Sequence, residues 1–402
     1  MYTGKTVLKW EMPTANQTAW AGTASTPALE LHAENGTVRC AVRYDFRADP
    51  LRLEAAANPG DCITLTLRPY RLELAVNGAV EDEEWPAGRC AYACGDAIQG
   101  ALTVDAAQEP DLPAAPAPAV LRTFTHAEGW RPSARVFVGD CMPCVDQGRY
   151  HVLYLKDRRH HRSKWGLGAH QWAHISTADF CTWAEHPMAV EITDPMEGSI
   201  CTGSWIFQQG RHELYYTVRR ADGAAAPICR SLSADGIHFA KDPSFRLQLS
   251  ERYDGPSARD PKVIRDAQGT GHMFVTTTQQ STGRGCLAHL RCGADGVWRE
   301  EEMPIWLSPD ESQPECPDYF FYHGFYYLVL SLHGTAQYFV SAQPFSGWRT
   351  PEKPEIPCGG VPKAAIWHDR VVFTGFDRID GYGGNLTFRA ASAAPDGTLI
   401  FD

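Results

Sequence analysis

The sequence lacks long hydrophobic runs and an excess of positive charge. No run of about 18 consecutive apolar residues occurs, so we predict no membrane-spanning helix. The formal net charge of -11 at pH 7 disfavours a nucleic acid or an anionic membrane as a partner, because both repel an acidic protein. A neutral small molecule such as a sugar is indifferent to this charge and stays compatible.

The start of the chain and its cysteines predict a reducing compartment. Residues 1–5 lack the apolar segment of a secretory signal. The 13 cysteines are an odd number scattered through predicted strands, which favours reduced thiols in the cytoplasm. Cys141 and Cys144 have CxxC spacing, but no second CxxC completes a four-thiolate zinc site. We therefore predict no metal and no cofactor.

Helical patterns are scarce, whereas short alternating strands recur along the chain. Strands rich in aromatic and β-branched residues follow glycine-containing turns at Arg149–Tyr154, Arg211–Tyr216, Gly271–Val275 and Gly324–Val329. Successive strand pairs lie roughly 50 to 60 residues apart, the size of one four-stranded propeller blade with its loops. We predict an all-β protein with a five-bladed β-propeller at residues 125–402.

A separate β-sandwich module is predicted before the propeller. Residues 106–124 begin with a Pro/Ala-rich stretch without periodicity, which is typical of a linker. Residues 1–105 contain alternating strands, and Asn77-Gly78 between two of them is a strong hairpin signal. We expect this module to buttress the propeller rather than to bind sugar. The acidic run Glu81–Glu84 is interpreted as a solvated strand end.

Three short acidic motifs are candidates for catalysis. They are Gly139-Asp140-Cys141-Met142-Pro143, Arg259-Asp260-Pro261 and Glu315-Cys316-Pro317-Asp318. Each acid alone is more often a turn residue. Their spacing, however, places Asp140, Asp260 and Glu315 on different blades, and the first strand of each blade lines the axis of a propeller. Glycoside cleavage needs a nucleophile or base, a proton donor and a group that holds the substrate or stabilises positive charge, and the three acids would supply these roles.

The sequence around these acids resembles glycoside hydrolase family 32, the retaining β-fructofuranosidases such as invertase, levanase and inulinase. The resemblance covers roughly residues 130–402. It rests on six ordered segments: Gly139–Pro143, Gln171–Pro187, Gly198–Ser204, Ala258–Val263, Pro314–Phe320 and Gly381–Thr387. The resemblance implies a five-bladed propeller that cleaves a β-fructofuranoside such as sucrose or a short fructan.

The resemblance also implies a role for each acid. Asp140 would be the nucleophile that attacks the anomeric carbon, and Glu315 would be first the general acid and then the general base. Asp260, with Arg259 beside it, would hold sugar hydroxyls and stabilise the oxocarbenium-like transition state. We expect Asp140 to stay ionised and Glu315 to be protonated near neutral pH, which requires burial or a nearby negative charge. Retention predicts about 5–5.5 Å between these two carboxyl groups.

Other residues are candidates for substrate binding. Trp165 is a candidate stacking platform, and His161 a candidate hydrogen-bonding partner, with loop packing or solvation as the alternative for both. A metal site at His161 is disfavoured because it and the preceding histidine would point to opposite faces of a strand. Thr202 belongs to the Gly198–Ser204 segment, and Asp318 is expected to orient the loop of Glu315. His174 is interpreted as a buried, hydrogen-bonded strand residue.

Two positions depart from the family pattern, and two classes of function stay open. Gly139 and Leu155 stand where the family usually has an asparagine and a glutamine that help bind the fructosyl unit. The first class is a cytoplasmic retaining glycosidase, with an inverting arabinofuranosidase-like enzyme as its enzymatic alternative. The second is a non-catalytic carbohydrate-binding propeller. The presence of all three acids favours the enzyme, and the oligomeric state is not determined by the sequence.

Overall fold

The computed structural model describes residues 4–402 except 24, 46–47, 69–70, 85, 87–88, 111–116, 134, 158–169, 195–196, 221 and 380. Within these residues the regular structure is almost entirely β-strand, as predicted. The same residues contain no helix that is long and apolar enough to cross a bilayer. All 13 cysteines are free thiols, and a location in the cytoplasm stays a prediction.

Two five-stranded antiparallel sheets form the first part of the molecule. The first sheet contains β1 (Gly4–Glu11), β6 (Cys62–Leu67), β7 (Leu72–Val76), β8 (Ala79–Glu84) and β10 (Asp105–Pro110), in the spatial order β10-β1-β6-β7-β8. The second contains β2 (Gln17–Thr23), β3 (Thr26–Glu34), β4 (Thr37–Val42), β5 (Leu51–Ala56) and β9 (Ile98–Gly100), in the order β5-β4-β3-β2-β9. Both sheets contribute to one hydrophobic core, with Leu8, Leu31 and Leu65 fully buried, as in a β-sandwich. Asn77 and Gly78 have φ of 50° and 82° and join β7 to β8, which confirms the predicted hairpin.

Four further sheets follow and form the five blades of a propeller, because one nine-stranded sheet contains both the first and the last blade. Blade I has β12 (Phe137–Asp146), β13 (Arg149–Asp157), β14 (Gln171–Thr177) and β15 (Thr182–Val190), with β11 (Arg122–Thr125) on its outer edge. Blade II has β16 (Glu197–Gln208), β17 (Arg211–Arg220), β18 (Ile228–Ser233) and β19 (Ala240–Leu247). Blade III has β20 (Arg259–Arg265), β21 (Gly271–Gln279), β22 (Arg284–Cys292), β23 (Trp298–Glu300) and β24 (Trp306–Leu307).

The last two blades complete the ring. Blade IV has β25 (Glu315–Tyr322), β26 (Phe325–Leu332) and β27 (Thr335–Ser341), and blade V has β28 (Lys363–Trp367), β29 (Arg370–Arg378), β30 (Gly384–Ala393) and β31 (Leu399–Phe401). The first strand of each blade contacts the first strand of the next, and β28 contacts β12. A pairing of Val138 with Gly384 also joins blade I to blade V. The predicted five-bladed propeller is therefore confirmed.

The segment predicted as a linker is partly strand. Residues 106–110 lie in β10 and pair with β1, and Arg122–Thr125 forms β11 on the edge of blade I. The composition suggested no strand, but an edge strand supplies hydrogen bonds to any extended backbone that reaches it. The exact limits of the two parts, predicted at 105 and 125, stay a prediction.

The interpretation of the Glu81–Glu84 run as solvated is wrong for its last three residues. Asp82, Glu83 and Glu84 expose 3%, 0% and 4% of their surface. The Glu83 carboxylate pairs with Arg71 at 3.0 Å and with Lys156 of blade I at 2.8 Å. Buried carboxylates need such partners, and these partners come from distant parts of the chain.

Candidate active site

The inner strands of four blades are irregular at corresponding places. Their pairing registers shift between Val138 and Cys141, between Ile200 and Gly203, between Arg259 and Lys262, and between Glu315 and Asp318. Such β-bulges redirect side chains that a regular strand would alternate between two faces. The residues within or beside the four shifts include Asp140, Thr202, Asp260 and Glu315, so the bulges bring these side chains to one end of the propeller axis.

These side chains line one cavity of about 240 Å³. This volume is below the roughly 300–1,000 Å³ typical of drug-sized ligand sites, so the cavity suits a small ligand. Its other lining residues come mainly from blades I, II, IV and V: Leu155, His170, Ser199, Cys201, Arg219, Arg259, Ser331, Gly334, Val361, Arg378 and Tyr382.

The carboxylate of Asp140 is held through both oxygens. Tyr382 donates from its hydroxyl to Oδ1 at 2.7 Å, and Thr202 donates to Oδ2 at 2.6 Å. The thiol of Cys316 also lies 3.3 Å from Oδ2. Burial raises the pKa of the Cys316 thiol well above its usual value, so this group is a donor and not a thiolate. Three donors from three blades therefore fix the orientation of one acceptor.

Asp260 is the most deeply buried of the three acids, with 3% exposure. Its Oδ2 accepts a hydrogen bond from the backbone N–H of Cys316 at 3.2 Å. Burial is the main cause that raises the pKa of Asp260 to about 6. The carboxylates of Glu315 and Asp140 add to this rise. Arg259, 3.7 Å away, opposes it.

Glu315 is paired with Arg259 in a bidentate arrangement. Arg259 donates from Nη2 to Oε1 at 2.7 Å and from Nε to Oε2 at 3.3 Å. The Glu315 side chain is 45% exposed, so it does not have the burial expected for a general acid. An arginine fork is the partner of an ionised carboxylate. The protonation of Glu315 near neutral pH stays a prediction.

A buried ion-pair cluster lies beside the cavity. Lys262 pairs with Oδ1 of Asp318 at 2.5 Å, and the backbone N–H of Ala364 donates to Oδ2 at 2.7 Å. Asp318 is 1% exposed and is not among the lining residues. The Nζ of Lys363, also buried, donates to the carbonyl of Gly203 at 2.9 Å. The predicted substrate contact through Asp318 is therefore wrong, because its oxygens are occupied in joining blades III, IV and V.

The remaining predicted residues have different outcomes. Thr202 and Arg259 line the cavity and contact the acids, as described above. His161 and Trp165 lie outside the described residues. His174 is fully buried and lies 2.9 Å from Nδ1 of His151 through its Nε2, which agrees with its interpretation as a hydrogen-bonded strand residue.

Several residues that line the cavity or contact its acids were not predicted as site residues. Tyr382, Cys316 and His170 have no sequence signal that separates them from ordinary packing residues, although the first two lie in segments already singled out. His170 is buried, and its Nε2 lies 2.9 Å from Asp157. Arg219 and Arg378 also line the cavity, and the prediction of a neutral sugar as ligand gave no reason to expect them there.

Two groups of described residues place possible metal ligands within 4.8 Å of one another. Asp260, Glu315 and Cys316 form one group in the cavity. The other is a buried histidine cluster between blades I and II, formed by His151, His174 and His186. Arg259 already balances the first group, and the imidazoles of the second already bond to one another or to protein oxygens. Nδ1 of His174 is the exception, since it is buried and has no hydrogen-bond partner among the described residues.

Comparison with known proteins gives a family and a fold. The family model described as "Glycosyl hydrolases family 32 N-terminal domain" matches residues 142–347, which include Asp260 and Glu315 and begin just after Asp140. The probable sucrose-6-phosphate hydrolase of Psychromonas ingrahamii is 25% identical over 273 residues, covering 63% of this chain and 44% of that protein. The chain thus spans less than half the length of this curated relative.

Solved structures share the architecture at low sequence identity. Fructan 1-exohydrolase IIa from Cichorium intybus has a TM-score of 0.57 and 17% identity, covering 70% of this chain and 60% of that one. A GH43 beta-xylosidase/alpha-arabinofuranosidase from a compost microbial metagenome has a TM-score of 0.52 and 13% identity, covering 69% and 98%. At these identities the likeness concerns the fold alone.

Proposed function

The chain belongs to glycosyl hydrolase family 32, and we propose that it hydrolyses a small β-fructofuranoside of the sucrose or short-fructan type. One observation carries this proposal: Asp140, Asp260 and Glu315, from three blades, line the same cavity of about 240 Å³. Three acids remote in sequence have no structural reason to meet there, because their mutual repulsion and desolvation are unfavourable.

The proposed reaction proceeds with retention through a covalent intermediate. A carboxylate oxygen of Asp140 attacks the anomeric carbon while the bond to the leaving oxygen breaks, and that oxygen takes a proton from Glu315. The Glu315 carboxylate then removes a proton from water, the water attacks the anomeric carbon, and the bond to Asp140 breaks. Tyr382 and Thr202, which hold Asp140, keep it aligned for both steps.

Glu315 has to gain a proton before the first step. Its bidentate bonding to Arg259 favours the ionised form that the second step uses. We propose that a bound sugar covers the exposed Glu315 and removes water from it, which disfavours the charge. Asp260, beside Arg259, would accept hydrogen bonds from sugar hydroxyls and offset the positive charge that develops at the anomeric centre.

A phosphorylated leaving group is a second candidate substrate. Arg219 and Arg378 line the cavity, and neither has an ion pair with a carboxylate in the part of the chain that the structure describes. Unpaired guanidinium groups at a binding site favour phosphate. A relative named as a probable sucrose-6-phosphate hydrolase supports the same candidate.

The test is hydrolysis of a substrate panel by the wild type and Asp140→Asn. The panel contains sucrose, sucrose 6-phosphate, short inulin and levan oligomers, and aryl arabinofuranosides. We expect turnover of at least one fructoside and a loss of at least about 1,000-fold in kcat/KM for Asp140→Asn. Asp146→Asn is the matched control, because Asp146 lies at the other end of β12 and is not among the lining residues.

Other outcomes of the same panel identify the alternatives. Transfer of the sugar to methanol with its configuration kept would support retention, and inversion on an arabinofuranoside would favour the arabinofuranosidase-like enzyme. Sugar binding without turnover of any panel member would contradict the proposal and favour a carbohydrate-binding propeller. A preference for sucrose 6-phosphate that is lost in Arg219→Ala would support the phosphorylated substrate.

A further inference from the structure

Gly139 has no space beside it for a side chain, because Tyr382 occupies most of the space that a Cβ would need. A Cβ at position 139 would lie 2.6 Å from the hydroxyl oxygen of Tyr382 and 3.0 Å from its ring. It would also lie 3.0 Å from the carbonyl oxygen of Leu155. Real Cβ atoms do not approach a neighbour to 2.6 Å, so any larger residue at 139 would displace Tyr382.

The hydroxyl that occupies this space is bonded twice to the next residue. It accepts a hydrogen bond from the backbone N–H of Asp140 at 3.0 Å and donates to Oδ1 of the same residue at 2.7 Å. Burial raises the pKa of Tyr382 well above its usual value, so the phenol keeps its proton. Its ring packs edge-on against Phe376, with 5.2 Å between the ring centroids.

We propose that Tyr382 is the positioning residue for Asp140, and that it takes the place of the asparagine that the family usually has at position 139. The two arrangements exclude each other, because a side chain at 139 and the tyrosine hydroxyl would occupy the same space. This inference rests on the proposed function, in which Asp140 is the nucleophile. The phenol hydroxyl bonds to both the backbone N–H and the carboxylate of Asp140. These two hydrogen bonds restrict rotation of the Asp140 side chain.

The exchange also changes what the cavity offers a sugar. An asparagine at 139 would present an amide donor and acceptor, whereas the Tyr382 hydroxyl already uses its proton on Asp140. The family's other amide is replaced by Leu155, whose side chain lines the same cavity. The part of the cavity next to Asp140 is therefore less polar than the family pattern predicts, and the clamp on the nucleophile is maintained from blade V.

The first test compares Tyr382→Phe with a matched tyrosine variant. We expect Tyr382→Phe to lower kcat/KM about 10- to 100-fold, the effect of one hydrogen bond to a charged group, and mainly through kcat. The control is Tyr150→Phe, because Tyr150 is fully buried, donates to the carbonyl of Val372 at 3.1 Å and does not line the cavity. Similar melting temperatures with activity lost only in Tyr382→Phe would support the inference.

The second test uses Gly139→Ala and the double variant Gly139→Ala/Tyr382→Phe. If the methyl group displaces the tyrosine hydroxyl, each single change removes the same hydrogen bond. The kcat/KM of the double variant should then lie within about 3-fold of that of the less active single variant. Multiplicative losses in the double variant would overturn the mutual exclusion.

A third measurement does not depend on turnover. In crystal structures of the wild type and of Tyr382→Phe, the Asp140 carboxylate should occupy a different or a less well-ordered position in the variant, because the donor to its Oδ1 is lost. An unchanged position of Asp140 together with unchanged kcat/KM would overturn the positioning role. If the wild type turns over no fructoside while Asp140 still moves in the variant, the proposed function fails and the positioning of Asp140 by Tyr382 stands.

Discussion

At the scale of single residues, the cavity holds charge at the expense of stability. Asp260 is buried, adopts a positive φ of 56° and lies near two other carboxylates. Both the backbone conformation and the buried charge are unfavourable in the folded chain. Such strain is typical of residues kept for function, because a neutral residue of the same shape would fold at least as well.

We predict that Asp260→Asn stabilises the protein above pH 6 and abolishes its activity. Folding raises the pKa of Asp260 from 3.8 to about 6, so the ionised carboxylate destabilises the folded state when the pH exceeds 6. This destabilisation decreases as the pH falls through 6 and disappears below 3.8. In urea unfolding at pH 8, the free energy of unfolding of Asp260→Asn should exceed that of the wild type by up to about 3 kcal/mol. At pH 4.5 this difference should be less than half as large.

The matched control is Asp396→Asn, because Asp396 is fully exposed and its carboxylate accepts hydrogen bonds from Thr398. This variant should not gain stability at pH 8. A loss of stability in Asp260→Asn at pH 8 would contradict the assignment of Asp260 as a strained, functional acid.

At the scale of elements, the bulges of the inner strands decide where the acids point. In β16 the shift lies between Ile200 and Gly203 and includes Thr202, the donor to Asp140. A Cβ on Gly203 would lie 1.8 Å from the carbonyl oxygen of Tyr215. The bulge therefore requires glycine at this position, since β16 and β17 approach each other too closely for any side chain.

We predict that Gly203→Ala destabilises the protein by about 1–3 kcal/mol, the usual effect of overpacking, and lowers kcat/KM because Thr202 moves away from Asp140. Thermal unfolding and kinetics with the best panel substrate measure the two effects. Gly293→Ala is the control, because the nearest atom to its Cβ would be 3.7 Å away. Equal melting temperatures and equal kcat/KM values of the two variants would show that the bulge tolerates a side chain at position 203.

At the scale of the whole molecule, ion pairs connect the N-terminal sheets to the propeller. Glu83 of β8 pairs with Lys156 of blade I, and Arg71 pairs with Glu191 beside blade I at 3.2 Å. Glu83 is fully buried, so removing a partner leaves a charge without full compensation. These contacts support the proposed buttressing role of the N-terminal part.

We predict that Lys156→Met loosens the attachment of the two parts. The free energy of unfolding should fall by about 1–3 kcal/mol. This is below the roughly 3–5 kcal/mol lost when a buried pair is fully broken, because Arg71 still pairs with Glu83. Calorimetry should resolve two unfolding transitions where the wild type has one. Arg135→Met, which breaks the exposed pair with Glu54, is the control and should change stability by less than about 1 kcal/mol. A single unshifted transition in Lys156→Met would mean that the ion pair does not couple the two parts.

The sequence by itself determined the β-class, the five repeats and the positions of the acids. Alternating strands and glycine turns are local patterns, and they appear in the chain wherever the strands do. The Asn77-Gly78 hairpin and the three acidic motifs follow from this local information. The family pattern added the order of the motifs, and the departures at Gly139 and Leu155 were visible without coordinates.

Only the tertiary structure decided which groups face one another. The pairing of Glu315 with Arg259, the burial of Glu83 and the use of Asp318 between blades depend on partners from other blades or from the other part of the molecule. The same is true of Tyr382, which lies far along the chain from Asp140 and fills the space left by Gly139. Desolvation and hydrogen bonding act over a few ångströms in space and not along the sequence, so no local pattern could reveal them.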